Sequence, residues 1–255
     1  MTALDDEPGV TVRLTEHEAI PNVRIVLELC ASGSLRCSDK TRRPTGASVS
    51  GVALLLAAGD FYPHEPIAAY AWPLLVQAGG LAELTGNRLQ LTSRGRAALT
   101  APPSATIRDL WRRWVTQAVI DELSRVEAIK GQRSTNVLTA AKTRRQTVAK
   151  ALGTCPAGTW VNVDELFLRM RRGNLSPTVA RNDRSIWKLY IGEPQYGSLG
   201  YAGFHEWSVL EGRYTLAVLF EYAATLGLID IASTPTPPAP VTTFTTTGVP
   251  TSWST

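Results

Sequence analysis

The sequence has 255 residues, 44% of them hydrophobic and 19% charged, which is typical of a globular protein and not of a disordered chain. No apolar run reaches the roughly 18 residues that a membrane-spanning helix requires, and the acidic N-terminus lacks the basic start of a secretory signal. Three cysteines without a CxxC pair predict neither a disulfide framework nor a zinc site, so we expect a cytoplasmic protein.

Positive charge is concentrated in one part of the chain. Residues 139–188 carry ten basic side chains and three acidic ones, whereas residues 1–20 carry five acids and a single base, Arg13. The net charge of the whole chain is only +4. This asymmetry predicts a local electrostatic footprint for an anionic partner.

Three helices followed by a hairpin are predicted in the first half. After a flexible N-terminus (residues 1–12), apolar residues at helical spacing predict helices over residues 20–32, 46–59 and 67–80. Two short alternating runs then flank Gly86-Asn87, a dipeptide typical of a tight hairpin turn. Ser93 is placed to cap a short closing helix.

The stretch LLVQAGGLAELTGNRLQLTSRGRAAL resembles the third helix, wing and following helix of bacterial winged-helix regulators. In that family a helix ending in glycine leads into a two-stranded wing, and the next helix begins with a similar "LT..GR" pattern. The resemblance implies a winged-helix-like unit over residues 13–103. It implies less about function, because winged helices also serve as protein-contact modules.

The second half predicts a similar but degenerate unit. An apolar stripe over residues 104–130 predicts a helix, and residues 104–133 are expected to link the two units. Residues 134–232 are predicted to hold helices over residues 139–152, 164–172, 176–191 and 208–227 and strands over residues 159–163 and 228–232. The expected fold class is mainly α with small β-hairpins (α+β), in which a long helix joins two winged-helix-like units.

The last residues, 233–255, are rich in threonine and proline and contain no charged side chain. Such a segment is usually a disordered low-complexity tail. A second hypothesis is that the tail is out of frame, because GC-rich synonymous codons read in another frame permit an ordinary charged sequence. The chain would then be a truncated piece of a longer protein, and the second wing would lack its return strand.

No motif typical of catalysis, cofactor binding or metal binding is found. The patterns GxSxG, HExxH and GxxxxGK[ST] are absent, and His17, His64 and His205 are far apart in the sequence. We therefore expect no catalytic residue, no cofactor site and no metal site, and predict that the protein is not an enzyme.

Basic side chains are the best candidates for a functional surface. Arg181, Arg184 and Lys188 are spaced to share one face of the helix predicted over residues 176–191, and the third helix of a winged helix enters the major groove. The predicted contacts to double-stranded DNA are Arg144, Arg145, Arg171, Arg172, Arg181, Asn182, Arg184 and Lys188, with Arg88 at the first wing. A transcriptional regulator is the corresponding functional expectation.

Two other interpretations stay open. The basic residues also fit a solvated surface, and the chain also fits a protein-interaction or regulatory module, a homodimer, or a fragment of a larger multidomain protein. The helix over residues 46–59 bears no basic residue, which favours protein contacts in the first unit. Four aromatic residues are predicted to lie in the core and not to stack on bases: Trp111, Trp114, Trp187 and Tyr190.

Overall fold

The computed structural model describes residues 10–62, 65–117, 119–201 and 206–233, and it is a mixed α+β structure with short antiparallel strand pairs. The predictions for residues 1–9 and for the tail from residue 234 lie outside the described residues. In chain order the elements are β1 (Thr11–Arg13), α1 (Thr15–Ala31), α2 (Gly46–Ala53), α3 (Ala68–Ala78), β2 (Ala82–Thr85), β3 (Arg88–Leu91), α4 (Ser93–Ala98), α5 (Pro103–Thr116), β4 (Ile129–Lys130), α6 (Ala141–Leu152), α7 (Val163–Arg172), α8 (Asp183–Ile186), β5 (Tyr190–Ile191), α9 (Arg213–Leu216) and β6 (Ile231–Ser233).

The chain divides into two compact units. The N-terminal unit comprises Val12–Ile120 and Leu219–Ile231, and the C-terminal unit is formed mainly by Asp121–Val218. The strands pair as β1 with β6, β2 with β3, and β4 with β5. In the described part of the chain, no helix is both long and apolar enough to cross a membrane.

Helices α1, α2 and α3 form the core of the N-terminal unit, as their apolar spacing predicts. Helix α1 buries Val23, Val26 and Leu27 on one face, whereas α3 is buried on nearly every side and includes the fully buried Trp72. A helix buried all round must have its first backbone N–H groups satisfied internally. The Asp60 carboxylate does this, since it accepts hydrogen bonds from the amides of residues 67, 68 and 69 at 2.8 to 3.0 Å.

The predicted hairpin is confirmed, with Leu84 opposite Leu89 in the β2–β3 pair. Gly86 adopts a φ of 60° at the turn, a left-handed conformation that glycine reaches without a steric penalty. The segment before α2 lies along β3, because the Leu89 amide donates to the Leu35 carbonyl at 2.9 Å. Thr92, one residue before the predicted Ser93, caps α4 by accepting a hydrogen bond from the Gly95 amide.

The helix predicted over residues 104–130 is wrong beyond Thr116, where α5 ends. Trp114 stacks on Tyr222 within the N-terminal unit, with ring centroids 4.7 Å apart. The chain then becomes extended at Gln117, forms a 3-10 turn at Glu122–Arg125, and enters β4. The apolar periodicity continues past Thr116, but residues 121 and 122 form ion pairs with buried arginines, and this segment is not an α-helix.

Two further elements predicted in the second half are not formed. Residues 159–162 make no strand, and Asn162 instead caps α7 by accepting a hydrogen bond from the Asp164 amide. The helix predicted over residues 176–191 is reduced to the four residues of α8. In place of its first half, residues 179–181 are extended and hydrogen bonded to residues 137–139.

A long helical segment follows the irregular loop. It consists of the π-helical Ser208–Gly212, then α9, then the π-helical Ala217–Ala223, and the division between the two units falls after Val218. The hydroxyl of buried Thr215 donates to the Glu211 carbonyl at 2.8 Å. Hydroxyl bonds of this kind compete with the backbone ladder of a helix.

Candidate nucleic-acid interface

The basic end of α7 follows from the amphipathic sequence of that helix. Leu166 and Met170 are buried, so the opposite face, which carries Arg171 and Arg172, is exposed to solvent. Basic side chains in the last turn also interact favourably with the negative end of the helix dipole. Arg169 in the same turn is neutralised by Glu165, one helical turn earlier, at 2.5 Å.

The short helix α8 positions the second group of cations. Its N-cap is Asn182, whose side-chain oxygen accepts hydrogen bonds from the amide and the hydroxyl of Ser185, each at 3.0 Å. Arg181 precedes the cap and donates to the Asn136 side chain at 3.3 Å. Arg184 and Lys188 are both exposed.

The helix predicted over residues 176–191 to read the DNA groove is not formed at that length. Pro177, which is buried, and the β-branched Thr178 and Val179 favour extended backbone before Asn182, and Val179 is buried. Since Arg181 precedes the N-cap of α8, it does not share a helical face with Arg184 and Lys188. A four-residue helix is only about 6 Å long, too short to present base-reading side chains along a groove.

The predicted DNA contacts of Arg144 and Arg145 must also be corrected, because both side chains are buried, with exposed fractions of 1% and 0%. Arg144 forms an ion pair with Asp121 and lies over the Tyr214 ring, 4.8 Å from its centroid. Arg145 Nε lies 3.3 Å from Glu122 Oε2. A phosphate group cannot reach guanidinium groups enclosed in this way.

This group of five residues, the arginine–carboxylate cluster, comprises Asp121, Glu122, Arg144, Arg145 and Tyr214, of which all but the half-buried Asp121 are buried. Burial raises the pKa of Glu122 from 4.5 to about 7, although the positive charge of Arg145 opposes the increase. The Tyr214 hydroxyl donates to Glu122 Oε2 at 3.5 Å, and burial raises the pKa of Tyr214 well above its ordinary value. The cluster therefore holds the 3-10 turn against α6 and α9 and has a structural role.

A different pair of arginines lies at the hairpin of the N-terminal unit. Arg88 is exposed beside the Gly86-Asn87 turn, as the sequence predicts. On the side away from β2 its direct cross-strand neighbour is the exposed Arg36, which sequence analysis missed because the bridge between residues 36 and 88 is a tertiary contact. Like charges directly opposite each other are destabilising unless an anion lies between them.

Two aromatic side chains are exposed although the sequence analysis did not predict it. Trp187, predicted to be core, is 54% exposed at the C-cap of α8, and Tyr196 is 77% exposed. Trp114 is buried as predicted, while Trp111 and Tyr190 are half-buried. The position of Trp187 between Arg184 and Lys188 is a local signal that could have indicated a surface role.

No metal site is seen among the described residues, where no group of three or more histidine, cysteine, aspartate or glutamate side chains is suitably arranged. His64 and His205 lie outside the described residues. No protein-family model, no curated protein and no solved structure matches this chain.

Proposed function

We propose that this chain is a non-enzymatic protein that binds double-stranded DNA through cations of its C-terminal unit. The observation that carries this proposal is a set of exposed side chains that form no ion pair within the described part of the chain. These are Arg171, Arg172, Arg181, Arg184 and Lys188. Cations left unpaired at the surface are available to phosphate groups, whereas Arg169 and the buried arginines are already neutralised.

Such binding is expected to depend little on base sequence. Helix α8 is too short to follow a groove, and the side-chain oxygen of Asn182 is used to cap that helix. In the N-terminal unit α3 is almost completely buried, so it offers few side chains to base edges. Phosphate contacts therefore support the proposal better than base readout does, and sequence-specific regulation of transcription has less support.

For the N-terminal unit we propose a winged helix. The order α1, α2, α3 and a β2–β3 hairpin supports this assignment, and so does the alignment of residues 35–37 along β3. The exposed pair Arg36 and Arg88 would give its wing a phosphate contact. The C-terminal unit lacks the helix over residues 176–191 that a tandem arrangement requires, so the proposal does not extend to it.

The test is a fluorescence-anisotropy titration with random duplex DNA at about 50 mM and about 200 mM salt, conditions between which phosphate-mediated binding weakens strongly. Five phosphate contacts predict that log K falls with log salt with a slope of roughly −4.5. The double variant Arg181→Ala, Arg184→Ala should reduce the size of that slope by about 2. Absence of binding at low salt would remove the proposal.

A second candidate function is self-association through the N-terminal unit. Leu54 is 85% exposed and Leu55 is 49% exposed, and the neighbouring Ala57 and Ala58 are exposed as well. Several exposed apolar side chains in one short segment are consistent with protein contacts. Sedimentation velocity should show a dimer that the double variant Leu54→Ser, Leu55→Ser converts to monomer, and a monomer at all concentrations would remove this candidate.

A further inference from the structure

We propose that Trp187 is a base-stacking residue, so that the C-terminal unit binds unpaired bases in addition to duplex phosphates. This inference rests on the proposed function, because it assigns a further ligand feature to the same cationic surface. The proposed ligand is single-stranded DNA, or the single-stranded part of a DNA junction. Such a ligand is favoured by the exposure of the Trp187 indole, by the groups that support it and by the charges beside it.

The ring of Trp187 is exposed although its position is well defined. Of the tryptophans that the structure describes, Trp187 is the most exposed, at 54%, whereas Trp72 and Trp114 are 0% and 2% exposed. Exposing a large aromatic ring forgoes the free energy that its burial would contribute. A ring kept at the surface and fixed in position is therefore a candidate binding platform.

The ring is supported from below and from the side. A Cβ atom on Gly200 would lie 2.2 Å from Cδ2 of Trp187, so the indole lies directly against the glycine backbone. The Tyr201 ring meets it edge-on, with centroids 5.1 Å apart and planes at 75°. The Trp187 carbonyl accepts a hydrogen bond from the Ser198 hydroxyl at 3.0 Å, which ties the end of α8 to the loop.

This support pre-organises the platform, because neither the backbone nor the ring has to be ordered when a flat ligand binds. Glycine at position 200 leaves room for the indole, which a larger residue would displace. The absence of a side chain at Gly200 therefore has a structural purpose, which is to let the Trp187 indole lie against the backbone.

The neighbouring charges distinguish a nucleobase from other flat or apolar ligands. Arg184 lies one helical turn before Trp187, and Lys188 follows it directly, and both side chains are exposed. An aromatic platform between cations matches a nucleotide, since the base stacks while its phosphates meet the positive charges. An apolar protein partner would use the ring but would leave these two charges without a complement.

The experiment compares three labelled probes at low salt: an oligothymidine of about 20 nucleotides, an abasic strand of equal length, and a duplex of equal length. The oligothymidine should bind roughly 5- to 150-fold more tightly than the abasic strand, the range expected for stacking of one base. Trp187→Ala should remove this difference while the affinities for the abasic strand and the duplex stay unchanged.

Three further variants keep this test interpretable. Trp187→Phe retains an aromatic ring against Gly200 and should retain part of the preference for bases, and Gly200→Ala should reduce that preference by displacing the indole. Leu168→Ala, which shortens a 44% exposed apolar side chain on α7, is the matched control and should leave all three affinities unchanged. Circular dichroism spectra confirm that each variant is folded.

The outcomes separate the two proposals. If no probe binds at low salt, the proposed function fails and this inference fails with it. If the duplex and the abasic strand bind but the oligothymidine binds no more tightly than the abasic strand, only the stacking inference is overturned. A preference for oligothymidine that survives in Trp187→Ala would also overturn it, because another residue would then provide the stacking.

Discussion

Arg144 and Arg145 on α6 differ in almost every respect from Arg181 and Arg184 near α8, although the sequence assigns all four to DNA. The first pair is enclosed and neutralised by Asp121 and Glu122, whereas the second pair is exposed and forms no ion pair within the described residues. A count of basic residues along the chain therefore overstates the charge that a partner can meet. The local environment of each guanidinium decides whether it stabilises the fold or is available for binding.

The largest expected effect comes from breaking the buried pair of Arg145 and Glu122. Arg145→Ala leaves a buried carboxylate without its cation and should lower the free energy of unfolding by about 3 to 5 kcal/mol. Urea unfolding should be followed near pH 8, where Glu122 of the wild type is ionised. The exposed Arg171→Ala is the matched control and should leave stability unchanged.

A loss below about 1 kcal/mol in Arg145→Ala would contradict the structural role of the cluster, since it would mean that Glu122 is readily hydrated. The double variant Arg145→Met, Glu122→Gln should be more stable than Arg145→Ala. It removes both charges and leaves no uncompensated ion inside the protein.

The next largest effect is a dependence of stability on pH. Burial raises the pKa of folded Glu122 from 4.5 to about 7, so protonation favours the folded state. This contribution is fully present below about pH 4.5 and is lost as the pH rises through about 7. The stability of the wild type relative to Glu122→Gln should fall by up to about 3 kcal/mol between these values.

Urea unfolding of both proteins at several pH values measures that difference, because glutamine has no proton to lose. Parallel stability curves for the wild type and Glu122→Gln would show that Glu122 does not have a raised pKa. A difference that increases with pH would show that Arg145 outweighs burial and lowers the pKa of Glu122.

A smaller effect is expected at Asn182, which the sequence assigns to DNA contact and the structure uses as the cap of α8. Asn182→Ala should lower stability by about 1 kcal/mol and weaken DNA binding by releasing Arg184 and Lys188. Asn182→Ser retains a capping oxygen and should preserve both properties. Equal loss of DNA affinity in the two variants, measured by anisotropy, would instead assign the amide a direct contact.

The smallest effect is expected for Arg169→Ala. This arginine is exposed, but Glu165 neutralises it on the same helix. Duplex affinity and melting temperature should both remain within experimental error of the wild type. A clear loss of affinity would show that ion-paired surface arginines also contact DNA, and the contrast between paired and unpaired cations would then fail.

Local patterns predicted the N-terminal unit well. Gly86-Asn87 specifies a tight turn through backbone preference alone, and the apolar spacing of α1, α2 and α3 reflects burial of those helices. The same patterns were less informative in the C-terminal unit. The segment before Asn182 has residues suited to either state, and pairing with residues 137–139 selected the extended one.

Burial of arginine is the hardest of these features to predict, because arginine is rarely enclosed. One signal was nevertheless available: the adjacent acids Asp121-Glu122 are matched by the adjacent bases Arg144-Arg145. Sequence analysis placed these acids within the helix predicted over residues 104–130. Recognising the match requires knowing that the two dipeptides meet in space.

In the N-terminal unit the sequence by itself determined the order of the helices and the hairpin turn, because glycine turns and apolar spacing act between residues close along the chain. It also determined that the middle of the chain is rich in cations. Only the tertiary structure decided which cations remain at the surface and that Trp187 lies on Gly200. The reason is physical: burial, ion pairing and ring support depend on residues that are distant in sequence and adjacent only after folding.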